Sequence, residues 1–289
     1  MAFFTKRVEI PFEAHDVFNY HARYRAIDRL IPPWSFLQVI KRNNGLENGA
    51  TCILKLQYGP LKLKWIARHM GYLQDQVFQD VMIKGPLKTW KHTHSFTPNE
   101  LNGCIMEDKI RYSLPYGLHR FNIFEDRLNK TLNQIFSYRH RILQNDLKLW
   151  GLLRVNKGKR ILISGSTGLI GSALIPFLDT SGEHKISRLV RPSSKYSDSG
   201  TSSDFRVWDP ETGIVDPSDL EGFDTIIHLS GESIGGRWSK VKKKRIHDSR
   251  VKSTELLCNT IKELKKPPST LLCASAIGYY GSRGEDVVT

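Results

Sequence analysis

Hydrophobic and polar residues alternate through most of the first half of the chain, a pattern typical of strands with one buried face. A strand is predicted from Phe3 to Pro11, and helical spacing from about Glu13 to Leu30 ends at the Pro32-Pro33 pair. Turn residues such as Asn43-Asn44-Gly45 and Gly59-Pro60 separate the runs that follow, which predicts an antiparallel meander. The predicted strands are Phe36 to Lys41, Thr51 to Tyr58, Leu61 to Tyr72, Val77 to Ile83, Thr89 to Phe96 and Gly103 to Leu114.

A long helix is predicted after the meander, from about Phe121 to Trp150, because this stretch has no Pro or Gly and its apolar residues recur at largely helical spacing. Its apolar positions include Ile123, Leu128, Leu132, Ile135, Phe136, Ile142 and Leu149. We expect this helix to pack on the sheet.

The pattern changes after residues 151–159, a polar and glycine-containing stretch with the composition of a linker. Short apolar strands then alternate with helices, which predicts a parallel sheet of about five strands in the order 3-2-1-4-5. The predicted strands are Arg160 to Ser164, Lys185 to Val190, Phe205 to Trp208, Thr225 to Leu229 and Thr270 to Ser275, with helices from about Leu169 to Asp179 and Lys240 to Lys265. The sequence therefore predicts two domains, residues 1–150 and 160–289, joined by the linker.

Length and composition agree with two soluble domains. A chain of 289 residues with 39% hydrophobic and 25% charged residues is long enough for two cores and ordinary for globular proteins. The first residues lack the apolar run of a signal peptide or a membrane span, so we expect a cytoplasmic location and no membrane partner. The four cysteines have no ligand-like spacing and are expected to be reduced thiols.

The net charge of +14 raises the question of a nucleic-acid partner. The excess is spread over both halves, with one dense basic run at Lys240 to Arg245. We interpret this run as a solvated helix face rather than a nucleic-acid patch, although its field would also favour ligands that carry phosphate.

The stretch ILISGSTGLIGSAL, Ile161 to Leu174, carries the most informative motif. Three glycines with the spacing G-x-x-G-x-x-G follow a strand and open an amphipathic helix, which allows a tight turn, close backbone approach to a pyrophosphate and free N–H donors at the helix start. The alternative is a glycine-rich packing turn. We predict that the turn binds a dinucleotide through Gly165, Ser166, Thr167, Gly168, Leu169, Ile170 and Gly171.

The end of the second strand bears on the choice of cofactor. An acid at this position selects NAD, whereas a basic residue accommodates the 2′-phosphate of NADP. Arg191 ends the run KISRLV, with no acid there, so we predict NADP in preference to NAD. The alternative for Arg191 is an exposed loop charge.

The fourth strand reads TIIHLSGESIGGRW and should end beside the cofactor. His228, Leu229, Ser230 and Gly231 are therefore predicted to line the region of the nicotinamide ribose. For His228 a packed or hydrogen-bonded role is favoured over a metal role, because no partner stands at ligand spacing. Arg250 on the next helix could reach a phosphate or form a salt bridge.

Both halves resemble known families. Residues 1–148 resemble the SRPBCC or START-like superfamily, particularly in FQDVMIKGPLKTWKHTHSF and FSYRHRILQND, and residues 159–289 resemble the atypical short-chain dehydrogenase/reductase, or NAD-dependent epimerase/dehydratase, superfamily. The second resemblance is to the nucleoside-diphosphate-sugar epimerase-like subgroup, through ILISGSTGLIGSAL, LVRP, WDPETG, IIHLSGESIGGRWSK, RIHDSRVKST and SAIGYYGSRG.

These resemblances imply an α+β helix-grip domain that encloses a cavity, followed by a Rossmann-type α/β domain that is incomplete at its C-terminus. They also imply that the turn glycines, Arg191, Leu229, Ser230 and Arg250 contact the cofactor. The substrate-binding C-terminal part is expected to be missing.

The catalytic residues are harder to identify. The wider superfamily uses a Ser or Thr after the fifth strand and a Tyr-x-x-x-Lys pair further along, and Ser275 matches the first position by resemblance. The sequence contains one Tyr-x-x-x-Lys, at Tyr58 to Lys62, which we reject because its Gly-Pro would break a helix and because it lies in the first domain. Tyr279 and Tyr280 are not expected to be the catalytic tyrosine.

Candidate chemistry in the first domain centres on Trp90, His92 and His94, which alternate on a strand, so that the histidines share a face. They could bind the polar group of a ligand or a metal, but we favour ordinary strand histidines and predict no metal site. The sequence does not assign a role to Lys64, Arg68, Arg139, His140 and Arg141. An apolar ligand could fill the cavity implied by the resemblance.

We therefore expect an NADP-binding reductase-like or epimerase-like protein that transfers a hydride on an unknown small carbonyl or alcohol substrate, with Ser275 orienting the oxygen. The alternative is a non-enzymatic NADP(H)-binding scaffold or redox-sensing module whose first domain binds an apolar ligand or a protein partner.

Overall fold

The computed structural model of the protein describes residues 1–43, 45–117, 122–153, 158–192, 204–275 and 281–287. The chain divides into two compact units, an N-terminal unit built mainly from the residues up to 153 and a C-terminal unit built mainly from the residues after 157.

The N-terminal unit is an antiparallel meander with a long helix. The elements are β1 (Ala2–Ile10), α1 (Ala14–Ala22), α2 (Ala26–Leu30), β2 (Leu37–Arg42), β3 (Thr51–Tyr58), β4 (Leu61–Leu73), β5 (Val77–Lys84), β6 (Thr89–Pro98), β7 (Cys104–Ser113) and α3 (Asn122–Leu153). Within the described ranges the strands form one seven-stranded sheet in the order β1-β7-β6-β5-β4-β3-β2, so each strand from β2 to β6 pairs with the next along the chain and β7 also pairs with β1.

One face of α3 forms the core with the sheet. Leu132, Phe136, Leu143 and Leu147 recur at helical spacing and are buried against strand residues. The meander and the long helix agree with the sequence prediction.

The helical region before β2 is broken, whereas the sequence predicted one stretch from Glu13 to Leu30. Arg23 is extended between α1 and α2. The break allows Tyr20 of α1 and Arg29 of α2 to reach the same buried carboxylate on α3: the Tyr20 hydroxyl donates to Asp146 Oδ2 at 2.9 Å, and Arg29 donates to both carboxylate oxygens at 2.8 Å.

The predicted linker also begins later than expected. Residues 151–153 belong to α3, because one glycine near the end of a helix that is already propagating lowers its stability without ending it. Residues 154–157 of the predicted linker lie outside the described residues.

The C-terminal unit is a mostly parallel sheet with helices between its strands. The elements are β8 (Arg160–Ser164), α4 (Leu169–Ser181), β9 (Lys185–Val190), β10 (Asp204–Asp209), β11 (Ile214–Val215), β12 (Thr225–His228), α5 (Lys240–Lys262) and β13 (Thr270–Cys273). In the described part of the unit the strand order is β11-β10-β9-β8-β12-β13, so the parallel strands follow the predicted order 3-2-1-4-5. The short β11, which the sequence did not predict, pairs antiparallel with β10.

The four cysteines are unpaired. Among the described helices, none combines the length and the apolar character needed to cross a membrane.

Candidate functional site

The carboxyl ends of the parallel strands bring together residues that are distant in sequence. Ser164 of β8 is in register with Leu189 of β9 and with His228 of β12, and His228 is in register with Cys273 of β13. The residues that follow these strands therefore lie along one edge of the sheet. The connection that leaves β8 leads to β9 on one side, and the connection that leaves the neighbouring β12 leads to β13 on the other side. A reversal of this kind is where open α/β sheets form a ligand crevice.

The glycine turn after β8 lies directly against the end of β12. Gly165 has φ +69°, and a Cβ on it would lie 2.6 Å from the carbonyl carbon of Leu229. A Cβ on Gly171 would overlap the carbonyl oxygen of Gly165. Side chains are thus excluded at both positions, and the turn keeps its backbone close to the second loop and to the start of α4.

The residues between these glycines differ in exposure. Ser166 is buried, and its hydroxyl has no hydrogen-bond partner among the described residues. Thr167 and Gly168 are exposed, and so are Leu169 and Ile170 at the first turn of α4. The first turn of the helix therefore faces solvent.

Arg191 lies immediately after β9, at the same edge of the sheet. Its side chain is 59% exposed, and its Nη1 lies 3.7 Å from a carboxylate oxygen of Glu211 in the turn between β10 and β11. The guanidinium is therefore accessible to solvent while it is held beside an acid.

His228 is buried and links three elements of the C-terminal unit. Its Nδ1 lies 2.6 Å from the Ser164 hydroxyl of β8, and its Nε2 lies 3.1 Å from the Ser253 hydroxyl of α5. Ser253 donates its own proton to the carbonyl of Ser249, so it accepts from Nε2–H, and Ser164 must donate to Nδ1. Burial lowers the pKa of His228 to about 4. The side chain is a neutral packed histidine, which the sequence analysis favoured over a metal ligand.

The loop after β12 is held by Arg250. Its Nη1 donates to the carbonyls of Glu232 at 3.2 Å and Ile246 at 3.1 Å. A Cβ on Gly231 would lie 3.2 Å from the guanidinium carbon, so the arginine packs closely on the loop. Leu229 and Ser230 are half-buried, and Gly231 is exposed.

Ser275 is exposed and follows β13 at the same edge, where the N–H of Ala274 donates to the carbonyl of His228 at 3.1 Å. Tyr279 and Tyr280 lie outside the described residues. Tyr58 and Lys62 lie on the two strands of the β3–β4 hairpin, in which Gln57 pairs with Lys62. They do not share a helix face.

The basic run begins α5. Ser239 caps this helix by accepting the N–H of Lys242 at 3.2 Å. Part of the positive charge is paired, because Lys242 lies 2.6 Å from Glu232 and Lys244 lies 2.6 Å from Asp248.

A second group of functional side chains lies between the sheet and α3 in the N-terminal unit. His92 and His94 of β6 face inward, between Asp80 of the neighbouring strand β5 and Asp108 of the other neighbour, β7. Asp108 Oδ1 lies 3.0 Å from His92 Nε2 and 2.8 Å from His94 Nδ1, and its Oδ2 lies 2.6 Å from His140 Nε2 of α3. The contact with His94 has ion-pair distance without hydrogen-bond geometry.

Asp80 completes this polar cluster on the other side of the histidines. Its Oδ2 lies 3.0 Å from His92 Nδ1 and 3.8 Å from His94 Nε2, and its Oδ1 accepts from Trp90 Nε1 at 3.2 Å. Burial alone would lower the pKa of His92, but the charges of Asp80 and Asp108 and their hydrogen bonds outweigh burial and raise the pKa to about 9. Burial also lowers the pKa of nearby His21 to about 3.

The sequence analysis did not select Asp80 or Asp108. A signal was present, because each is an acid at an inward position of an alternating strand: Asp80 between Phe78 and Met82, and Asp108 between Met106 and Ile110. An acid in such a row requires a buried partner. The structure also separates the basic residues that were left without a role, since Arg139 and His140 are enclosed, whereas Lys64, Arg68 and Arg141 are exposed.

A cavity of about 20 Å³ lies beside the cluster, lined in part by His21, His94, Asp108, Arg139 and His140. This volume is close to the space of a single water molecule.

Two family models match the chain. Residues 161–288 match the NAD dependent epimerase/dehydratase family, and residues 10–136 match the family described as polyketide cyclase/dehydrase and lipid transport. The two matched regions agree with the two resemblances found in the sequence.

Individual relatives agree with this assignment. The chain is 37% identical over 129 residues to an epimerase family protein of Mycobacterium bovis and 33% identical over 131 residues to the epimerase family protein YfhF of Bacillus subtilis. These matches cover 44% and 45% of this chain but 40% and 41% of the relatives, so the matched region spans less than half of their length. A crystal structure of a nucleoside-diphosphate sugar epimerase from Corynebacterium glutamicum superposes with a TM-score of 0.78 and 31% identity, over 99% of this chain and 57% of that one.

Proposed function

We propose that the C-terminal unit binds a pyridine dinucleotide across the carboxyl edge of its sheet. The observation that carries the proposal is the glycine turn pressed against Leu229 at the point where the strand order reverses, with no room for a side chain on Gly165. Glycines at these positions would let a pyrophosphate approach the backbone closely, within reach of the N–H groups at the start of α4.

The residues present fit such a cofactor. The first turn of α4 is exposed and offers N–H donors, and the buried Ser166 hydroxyl has no hydrogen-bond partner among the described residues. Leu229, Ser230 and Gly231 follow β12 at the same edge and would line the nicotinamide ribose. Arg250 would support this loop through its backbone contacts.

NADP is the proposed form of the cofactor. Arg191 follows the second parallel strand with an exposed guanidinium, where a 2′-phosphate would replace Glu211 as its anionic neighbour.

The proposed reaction is hydride transfer on a carbonyl or secondary alcohol, in which the cofactor supplies or accepts the hydride. Ser275 would donate a hydrogen bond to the substrate oxygen and orient it, because the residue is exposed at the edge where the strand ends meet. The relative from Corynebacterium glutamicum carries the name of a nucleoside-diphosphate sugar epimerase, so nucleoside-diphosphate sugars are the first substrates to test.

A cofactor-binding scaffold is the second candidate. It is favoured by one feature of the sequence, namely that the single Tyr-x-x-x-Lys lies on the β3–β4 hairpin of the N-terminal unit and not on a helix of the C-terminal unit. A scaffold would bind NADPH without turnover.

Calorimetric titration of the full chain with NADPH tests the binding proposal. We expect Gly171→Ala to weaken the binding of NADPH at least about tenfold, because the added Cβ overlaps the carbonyl of Gly165 and displaces the turn. Gly151→Ala is the matched control, since its Cβ would meet only a ring carbon of Phe12 at 3.9 Å. Equal affinity in the wild type and in both variants would contradict a site at this turn.

The choice of NADP is tested with Arg191→Ala. Loss of a charge-assisted contact should weaken the binding of NADPH by roughly tenfold to a hundredfold and leave the affinity for NADH unchanged. Lys185→Ala, at the opposite end of the same strand, is the control and should change neither affinity. An Arg191→Ala variant that keeps the wild-type ratio of the two affinities would exclude the phosphate contact.

Turnover separates enzyme from scaffold. Oxidation of NADPH with a panel of carbonyl compounds, or isomerisation of a nucleoside-diphosphate sugar, that falls in Ser275→Ala supports catalysis. Tight NADPH binding with no reaction in any assay supports the scaffold.

A further inference from the structure

We propose that Asp80, His92 and His94 of the N-terminal unit bind a divalent transition-metal ion. One atom from each residue lies within 4.8 Å of the others. Asp80 Oδ2 is 3.0 Å from His92 Nδ1 and 3.8 Å from His94 Nε2. Donor atoms around a tetrahedral ion at ordinary Zn–N and Zn–O distances lie about 3.3 Å apart, so small side-chain movements would complete the geometry.

The other ring nitrogens are already engaged by a different carboxylate. Asp108 Oδ1 lies 3.0 Å from His92 Nε2 and 2.8 Å from His94 Nδ1. A carboxylate accepts protons and donates none, so it favours N–H on these two nitrogens. His92 Nδ1 and His94 Nε2 both face Asp80. These two nitrogens would offer lone pairs to a metal ion, whose binding would displace the proton that Asp80 favours there in the metal-free protein.

Each proposed ligand therefore has an outer partner of the kind found around metal sites. Ligating histidines usually donate their second N–H to a carboxylate, and ligating carboxylates are hydrogen-bonded in turn. Asp108 accepts a hydrogen bond from His92 and lies at ion-pair distance from His94, and Trp90 Nε1 donates to the second oxygen of Asp80 at 3.2 Å. Asp108 is itself held by His140 at 2.6 Å.

Access and surroundings also fit an ion. The Asp80 side chain is 18% exposed, whereas the His94 and His92 side chains are 10% and 3% exposed, so Asp80 is the most accessible of the three proposed ligands. The positive charge of Arg139, which is half-buried, lies close enough to Asp108 and Asp80 to interact with both and balances part of their negative charge.

The donor set selects the class of metal. Two imidazoles and one carboxylate suit Zn²⁺ and other divalent first-row ions, whereas Mg²⁺ and Ca²⁺ prefer oxygen donors. Three protein ligands leave at least one coordination position for water or another small ligand. A buried ion-pair network that holds no metal is the competing interpretation, and it predicts no specific affinity for Zn²⁺.

Calorimetric titration with Zn²⁺ tests the site, using the full chain without a histidine tag after treatment with a chelator. We expect one Zn²⁺ per chain, no comparable binding of Mg²⁺, and at least about a tenfold loss of affinity in Asp80→Asn and His94→Gln. His15→Gln is the control, because it removes a surface histidine beside Asp75 and should leave Zn²⁺ binding unchanged. Zn²⁺ should also raise the Tm of the wild type and of His15→Gln but not that of Asp80→Asn.

A measurement on the wild type covers the case in which the cluster variants do not fold. Histidine-selective NMR should show the ring resonances of His92 and His94 shifting on addition of Zn²⁺, while those of His15 stay in place. Absence of Zn²⁺ binding by the folded wild type overturns the proposal. Binding of Zn²⁺ that shifts the ring resonances of His15 and is lost in His15→Gln would equally overturn the proposal.

Discussion

Two buried histidines, one in each unit, differ in charge because their neighbours differ. His92 lies between Asp80 and Asp108, with both ring nitrogens 3.0 Å from carboxylate oxygens, and the pKa of its ring is raised to about 9. His228 lies between the hydroxyls of Ser164 and Ser253, and burial lowers its pKa to about 4. Burial alone opposes the charged form in both cases.

The cluster around His92 therefore stabilises a buried charge, whereas the cluster around His228 only satisfies hydrogen bonds. Hydroxyl groups can accept from one nitrogen and donate to the other, so His228 is fully paired while it is neutral. Two carboxylates require a proton or a cation between them. A buried histidine therefore indicates nothing about function until its partners are known.

The largest expected effect comes from removing the carboxylate shared by three histidines. Asp108→Asn replaces an acceptor of His92 and His140 with a neutral amide and leaves the positive charge of His92 less balanced in the core. The free energy of unfolding should fall by about 3 to 5 kcal/mol. Urea unfolding in the presence of a chelator, followed by circular dichroism, measures the change.

The matched control is Asp75→Asn, which breaks the pair between His15 and Asp75, whose side chains are 56% and 35% exposed. This surface pair should contribute less than about 1 kcal/mol. Equal losses in the two variants would show that the interior cluster is no stronger than a surface ion pair.

The contributions of His228 and His92 to the free energy of unfolding should depend on pH with opposite signs. The folded pKa of His228, about 4, lies below its ordinary value of 6.5, so the unfolded state binds the proton first and roughly 3 kcal/mol of stability is lost as pH falls from 6.5 to 4. The folded pKa of His92, about 9, lies above 6.5, so its contribution is present below pH 6.5 and a similar amount is lost as pH rises to 9.

Histidine-selective NMR titration of the metal-free protein measures both midpoints directly. The His228→Gln variant should flatten the acid side of the stability profile and leave the alkaline side unchanged. If both rings titrated near 6.5, the contrast between the carboxylate and the hydroxyl surroundings would be wrong.

The smallest expected effect comes from one hydroxyl. Ser253→Ala removes the acceptor of His228 Nε2–H and should cost about 1 to 3 kcal/mol of unfolding free energy, because a buried donor is left unpaired. Ser269→Ala removes an exposed hydroxyl that donates to the Asp224 carbonyl and should cost less than about 0.5 kcal/mol. Thermal or urea unfolding compares the two variants. If the free energy of unfolding fell as much in Ser269→Ala as in Ser253→Ala, burial of the unpaired donor would not explain the effect.

Local pattern was enough to predict much of the fold. Alternation along the first half predicted the meander, and the change to strands and helices predicted the parallel sheet and its order. The break between α1 and α2 was not predicted, because it serves contacts of Tyr20 and Arg29 with Asp146, which lies more than a hundred residues further along the chain.

The two candidate sites also differ in whether their residues are close together or distant in sequence. The glycine turn consists of seven consecutive residues, and its backbone conformation depends on which of these positions lack a Cβ. The sequence alone therefore predicted the turn and the edge of the sheet at which it lies. The cluster of Asp80, His92, His94 and Asp108 draws on three strands, with His140 added from a helix. Cross-strand register and helix packing determine which of these side chains meet and which ring nitrogens carry protons, and only the tertiary structure decided both.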